Sequence, residues 1–153
     1  MTIRNKTGDL HRQVGRYIYD HLIETTQAPT MAQVAEALRC TIVEVQVAYQ
    51  RLTEERAIVL QASNGEVLMA PPFSAVPTTF SVQSGSHHWW ANCIWDALGI
   101  PVLTKRDARI ATSCACCGDL LTITVNGGGM TERNGLPHFA LPLKEWWKNV
   151  FFA

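Results

Sequence analysis

The spacing of apolar residues near the start of the chain predicts a helix. They recur close to the helical repeat of about 3.6 residues, at Leu10, Val14, Ile18 and Leu22. Tyr17 lies beside this stripe. One face of the segment is therefore expected to pack against the rest of the protein.

Two further helices are predicted from paired start signals. Thr30 precedes an apolar stretch and is followed three residues later by Gln33, which is the arrangement of a capping box. Thr41 and Glu44 repeat it. The apolar stripe expected for the third helix consists of Ile42, Val45, Tyr49 and Leu52.

A β-hairpin is predicted directly after these helices. Two short apolar runs within residues 58–70 are joined by Asn64 and Gly65, both of which tolerate the positive φ that a tight hairpin turn requires. Three helices followed by a hairpin are typical of a winged helix-turn-helix. We therefore expect an N-terminal domain over residues 1–70.

The charge of this N-terminal segment argues against nucleic-acid binding. It carries seven Lys or Arg and eight Asp or Glu side chains, and the whole chain has a formal net charge of zero. Phosphate contacts require clustered basic side chains, which the third helix lacks. A scaffold or dimerisation role is the better interpretation of this module.

The second half of the chain predicts an α+β core. A proline-rich connector is expected over 71–80, followed by a helix-plus-antiparallel-strand core over 81–153. Within that core, 89–98 is predicted to be helical and to end at Gly99 and Pro101. Strands are expected over 108–113, 120–125 and 138–143, and the apolar segment 145–153 must pack on another part of the protein.

Cys93 and Asp96 are the first candidates for chemistry. Their separation of three places both on one face of the predicted helix, with Trp89 one turn earlier. A carboxylate beside a thiol can accept its proton and later donate it to a reacting atom. The structural alternative is a buried core cysteine followed by an exposed helical aspartate.

The second candidate is the group Cys114, Cys116 and Cys117. Cys114 and Cys117 resemble one half of a zinc site, but the sequence has no second pair to complete the usual four ligands. Thiolates near Cys93 would instead select a soft metal ion. In the structural alternative, Cys114 belongs to the core and the other two lie in a tight turn.

The cellular context follows from what the sequence does not contain. Five cysteines form an odd set, and the chain has neither a signal peptide nor an apolar stretch long enough to cross a membrane. A disulfide framework is therefore not expected. We expect a cytoplasmic protein, and its neutral charge and apolar tail allow a homodimer.

Several segments together resemble the alkylmercury (organomercurial) lyase family. They are "MAPPFSAVPTTFSV", "WWANCIWDALGIPVL", "ARIATSCACCGDLLTITV" and the terminal "VFFA". The resemblance spans nearly the whole chain, because that family also has a winged-helix-like N-terminal part. It implies cleavage of a carbon–mercury bond by protonolysis, with small organometallic substrates and cellular thiols as partners.

The resemblance also implies roles for individual residues. Cys93 matches the first catalytic thiol, Asp96 the proton shuttle, and Cys114 a third, mainly structural cysteine. Hg(II) would be the bound product, no further cofactor would be required, and zinc is not favoured. Trp89, Trp90, Trp146 and Trp147 would form the walls of a dry pocket.

One departure from the family pattern affects the expected activity. The family's second catalytic cysteine belongs just before the terminal "FFA", where this chain has Trp146 and Trp147. Either Cys116 or Cys117 supplies the missing thiol, or lyase activity is lost. Two alternatives follow: a non-catalytic protein that binds Hg, Zn, Cu or thiols, and a metal-responsive transcriptional regulator.

Overall fold

The computed structural model describes residues 4–131 together with 139, 142, 145 and 146, with side chains described from residue 10 onward. Within these residues the helices are α1 (Arg4–Thr25), α2 (Met31–Leu38), α3 (Ile42–Glu54) and α4 (Ile94–Thr104). The strands are β1 (Val59–Leu60), β2 (Val67–Ala70), β3 (Phe73–Ser74), β4 (Phe80–Ser84), β5 (His87–Ala91), β6 (Ala108–Ser113), β7 (Leu120–Asn126) and β8 (Gly129–Met130). This mixture of helices and antiparallel strands confirms the predicted α+β class.

The N-terminal helices form where the apolar pattern and the caps predict them. Both capping boxes are present, with Thr30 and Thr41 each accepting a hydrogen bond from the third residue of the following helix. The predicted stripe of α1 is buried at Val14, Ile18 and Leu22. In α3 the prediction for Ile42 is wrong, because it is the first helical residue and is 50% exposed, while the buried stripe begins one turn later.

The hairpin β1–β2 is present, but its turn is longer than predicted. The loop spans residues 61–66, the Gln61 amide donates to the Glu66 carbonyl at 2.8 Å, and Gly65 alone among the loop residues has a positive φ, of 73°. The longer loop places the Glu66 carboxylate 2.9 Å from the amide of Met31, at the start of α2. The hairpin therefore holds the N-terminus of α2, and membership of the winged-helix class stays a prediction.

The described strands form a single antiparallel sheet. Their order is β1-β2-β3-β5-β4-β6-β7-β8. Strand β3 lies inside the predicted connector 71–80 and pairs with β2 on one side and β5 on the other. The hairpin and the later strands therefore share one sheet, and the domain boundaries at 70 and 80 stay predictions.

The segment predicted as one helix over 89–98 is partly a strand. Residues 87–91 form β5, and α4 begins only at Ile94. Pairing with β4 explains the difference: Trp89 lies opposite Val82, and its indole Nε1–H donates to the Leu22 carbonyl of α1 at 2.8 Å. The pairing within the β4–β5 hairpin and the long-range contact of Trp89 with α1 outweigh the helical spacing of the apolar residues.

Helix α4 also continues through the predicted stop signals. It includes Gly99 and Pro101 and ends at Thr104, with Lys105 in the left-handed conformation at its C-cap. Ala97, Ile100 and Pro101 are buried, so packing of this face stabilises the helix despite the proline. Helix α4 contacts β4, β5 and β6.

The predicted strands 108–113 and 120–125 are confirmed as β6 and β7. The predicted strand 138–143 and the apolar segment 145–153 lie largely outside the described residues. Of these segments, residues 139, 142, 145 and 146 are described, and the rings of Phe139 and Trp146 have centroids 5.1 Å apart. In the part of the chain that the structure describes, no helix is long and apolar enough to cross a membrane.

Candidate functional site

Cys93 and Asp96 lie at the junction between β5 and α4. Cys93 is the N-cap residue of α4, with extended backbone angles (φ −151°, ψ −179°), and its carbonyl accepts the Ala97 amide at 2.9 Å. Asp96 lies in the first turn of the helix. The pair therefore occupies a helix start instead of the middle of the predicted helix, and both residues are partly buried.

Asn92 positions the Asp96 carboxylate. Its Nδ2 donates to Asp96 Oδ2 at 2.9 Å and makes a longer contact, 3.4 Å, with the Phe73 carbonyl of β3. Asn92 Oδ1 is buried and has no hydrogen-bond partner among the described residues. Sequence reasoning missed this residue, although its position four before Asp96 was a usable signal.

The environment of Asp96 favours its protonated form. Burial raises the pKa of Asp96, and hydrogen bonds from the Asn92 amide and the Cys93 thiol oppose this rise. The charge of Asp96 also reaches Tyr19, whose pKa is raised first by burial and then by this carboxylate. A carboxyl group of this kind holds a proton more readily than a surface aspartate, as a proton carrier requires.

The environment of Cys93 favours its protonated thiol form. Burial raises the pKa of Cys93, the Asp96 carboxylate raises it further, and the backbone amides of Asp96 and Trp95 oppose the rise. The side chain makes no capping hydrogen bond of its own. Because a coordinating thiol loses its proton, binding of a soft metal would drive that proton toward Asp96.

The two neighbouring tryptophans of β5 do not share one wall. Trp89 is buried, stacks on His87 at 5.2 Å and lies 6.3 Å from Phe73, whereas Trp90 is partly buried and meets His88 edge-on at 4.6 Å. Successive strand residues point to opposite faces of a sheet, so the two indoles lie on opposite faces of β5. Trp146 packs near Phe139, and Trp147 lies outside the described residues. A pocket-wall role for each of the four tryptophans stays a prediction.

The remaining candidate cysteines lie together in the turn between β6 and β7. The Cys114 amide donates to the Asp119 carbonyl and the Gly118 amide to the Cys114 carbonyl, both at 2.8 Å. The Sγ atoms of Cys114 and Cys116 are 3.0 Å apart, and all three sulfurs, with that of Cys117, lie within 4.8 Å of one another. We call this group the three-cysteine loop.

The thiols of the three-cysteine loop influence one another. A hydrogen bond from Cys116, together with neighbouring backbone amides, lowers the pKa of Cys114 to about 7, while the interactions with Cys114 and Cys117 raise the pKa of Cys116. Cys116 and Cys117 are exposed and Cys114 is partly buried. One thiol of the loop is therefore substantially ionised near neutral pH.

The structure separates Cys93 from this loop as a metal-binding group. Among the described residues, Cys93 forms no three-ligand group with two of the loop cysteines, because the three sulfurs do not all lie within 4.8 Å of one another. In the same part of the chain, His87 and His88 do not belong to a metal-binding group either. The groups that shift the pKa of Cys93 belong to Asp96 and Trp95. Pairing of Cys93 with Cys116 or Cys117 stays a prediction.

Comparison with known proteins identifies the family. The model of the alkylmercury lyase family (MerB) matches residues 73–152, which is more than half of the chain. The chain belongs to the alkylmercury lyase family. The matched region of this alkylmercury lyase family member contains Cys93, Asp96 and the three-cysteine loop.

The fold supports the same relationship. A solved structure described as the mercury-bound form of MerB2 resembles this alkylmercury lyase family member with a TM-score of 0.63 and 19% sequence identity, covering 84% of this chain and 67% of that one. The likeness extends beyond the matched region into the N-terminal helices, because it covers more of the chain than the family model does. No curated protein matches the sequence significantly.

Proposed function

We propose that this alkylmercury lyase family member cleaves the carbon–mercury bond of small organomercurials by protonolysis, using Cys93 and Asp96. The observation that carries the proposal is the placement of Cys93 at the N-cap and Asp96 in the first turn of α4, where burial raises the pKa of both groups and each group influences the ionisation of the other. Thiol, acceptor and proton are thus together before the substrate arrives. Soft sulfur then selects soft mercury.

The reaction starts with an organomercurial that carries one thiolate, R–Hg–SR′. The Cys93 sulfur bonds to mercury, and its proton passes to the Asp96 carboxylate. The proton then moves from Asp96 to the carbon, the electron pair of the C–Hg bond forms the new C–H bond, and R–H leaves. The reactants are R–Hg–SR′ and the Cys93 thiol, and the products are R–H and Hg(II) held by two sulfurs, so the atoms balance.

Asp96 and Asn92 have separate tasks in this scheme. Burial raises the pKa of Asp96, so its carboxyl group holds a transferred proton more readily than a surface aspartate does, and a positioned acid of this kind contributes about 10²–10⁴-fold to a rate. Asn92 fixes one carboxylate oxygen at 2.9 Å, which leaves the other oxygen for the thiol and the carbon. The two thiolates on mercury make the leaving carbon more basic.

The second sulfur, SR′, has two candidate sources. Cellular thiols can arrive already bound to mercury, and Cys116 or Cys117 can supply the sulfur from the protein. Both replace the cysteine that the family carries near its C-terminus, where this chain has Trp146 and Trp147. In either case Hg(II) is the product and no additional cofactor is proposed.

The test is release of hydrocarbon from an arylmercury compound in the presence of excess thiol. Wild-type protein should release benzene from phenylmercury, whereas Cys93→Ala and Asp96→Asn should release at least about 100-fold less. Cys40→Ala is the matched control, because Cys40 precedes α3 and packs with the N-terminal core. Absence of benzene from the wild type would refute the activity, and undiminished Cys93→Ala or Asp96→Asn would refute the assignment of the residues.

A second candidate is a soft-metal-binding protein without turnover. It is favoured by the tryptophans at the position of the family's second catalytic cysteine and by the three-cysteine loop. Stoichiometric retention of Hg(II) with no release of hydrocarbon would favour this function. A metal-responsive regulator is disfavoured by the balance of acidic and basic side chains in the N-terminal segment.

A further inference from the structure

The three-cysteine loop has the geometry of a metal site in its own right. Its three sulfurs come from four consecutive positions and already lie within 4.8 Å of one another. All three cysteines are free thiols. Two backbone hydrogen bonds of 2.8 Å close the turn, and Gly118 has a positive φ of 77°, so strands β6 and β7 hold the loop at both ends.

The spacing of the sulfurs fits a single ion. A metal held by thiolates at about 2.3 Å in tetrahedral geometry places its sulfur ligands about 3.8 Å apart. The observed separations bracket this value, since one pair is at 3.0 Å and no pair exceeds 4.8 Å. Cys116 and Cys117 are exposed, so rotation of their side chains can adjust these separations.

The donor set determines the class of ion. Among the described residues, neither a histidine nor a carboxylate joins these three sulfurs, so the site offers only soft ligands. Three ligands leave one coordination position open, in contrast to the four of a closed structural zinc site. Cys116 and Cys117 are exposed, so the ion can enter and leave from solvent.

We propose that Cys114, Cys116 and Cys117 bind one soft divalent cation of the Cd(II) and Hg(II) class at a site separate from Cys93 and Asp96. Any protons still on the three thiols leave to solvent as the ion binds, and no oxidation or reduction takes place. This inference does not rest on the proposed lyase activity. It assigns Cys116 and Cys117 a role together with Cys114 that needs no contact with Cys93.

The test titrates the reduced full-length protein with Cd(II) alone and follows the sulfur-to-cadmium absorption in the near ultraviolet. Wild type should bind one equivalent tightly, and X-ray absorption should count three sulfurs around cadmium. Cys116→Ser and Cys117→Ser should each weaken binding by at least about tenfold, because loss of even an outer-shell partner costs that much. Cys40→Ser is the control and should bind as wild type does.

Cys93→Ser separates this site from the candidate lyase site. Binding of Cd(II) by this variant with unchanged stoichiometry and three sulfurs supports the proposal. Loss of binding in Cys93→Ser, a count of two sulfurs in the wild type, or unchanged binding in both loop variants would overturn it. Hydrocarbon release is not part of this measurement, so its outcome is independent of whether the protein is a lyase.

Discussion

Removal of the Asn92 side chain should raise the pKa of Asp96 further. The amide of Asn92 donates to Asp96 Oδ2 at 2.9 Å and stabilises the ionised form, which opposes the effect of burial. In Asn92→Ala this hydrogen bond is lost, so the proton is held more tightly. The carboxyl group should then titrate at higher pH than in the wild type.

The size of the shift follows from the strength of the hydrogen bond. Bonds to charged groups contribute about 1.5–3 kcal/mol, and about 1.4 kcal/mol corresponds to one pKa unit. Asp96 is only partly buried, and water can replace some of the lost interaction. The expected rise is therefore at the lower end, about one unit.

Carboxyl ¹³C NMR measures this shift directly. The Asp96 resonance is assigned by its absence in Asp96→Asn, and its chemical shift is followed against pH in wild type and Asn92→Ala. Asn64→Ala is the matched control, because Asn64 donates to Gln61 Oε1 in the hairpin loop. An unchanged or lowered pKa of Asp96 in Asn92→Ala would refute the positioning role of Asn92.

Three further predictions concern stability. Asp96→Asn should raise the melting temperature at pH 7, because the pKa of Asp96 is higher in the folded than in the unfolded protein. The stability that the protonated carboxyl group contributes is complete at low pH and is lost as the pH rises through the folded-state pKa. The difference in melting temperature between wild type and Asp96→Asn should therefore vanish near about pH 3. Trp89→Phe removes the 2.8 Å hydrogen bond to the Leu22 carbonyl and should lower the free energy of unfolding in urea by about 1–3 kcal/mol, and a loss below about 0.5 kcal/mol would contradict the importance of this bond. Thr30→Ala and Thr41→Ala should each cost about 1 kcal/mol in the same measurement while the serine variants stay close to wild type, and equal losses in serine and alanine variants would argue against capping.

Local signals in the sequence predicted most of the N-terminal structure. The capping boxes at Thr30 and Thr41 depend on residues three apart, and the buried stripe of α1 depends on one helical period. The proximity of the three loop cysteines could also be predicted from the sequence, because they lie within four consecutive positions. Such features form within one or two turns of the chain and need little information from elsewhere.

The junction at β5 and α4 could not be obtained in this way. Trp89 and Trp90 have helical spacing relative to Cys93 and Asp96, but residues 87–91 form strand β5 because the preceding strand β4 pairs with it on one side and β3 on the other. Pairing of β3 with β5 brings Asn92 close to Phe73, whereas the contact of Asn92 with Asp96 joins residues only four apart. The residue types of the candidate site were therefore predictable, whereas the placement of Cys93 at a helix N-terminus was not.

The most direct test of the central claim is a single turnover of phenylmercury in D₂O with the protein in excess. If Asp96 carries the Cys93 proton to carbon, wild type should release singly deuterated benzene, one molecule per mercury, and leave Hg(II) bound to sulfur. Asp96→Asn should retain phenylmercury on Cys93 and release at least about 100-fold less benzene in the same time. Equal release by wild type and Asp96→Asn, or by wild type and Cys93→Ala, would contradict the account.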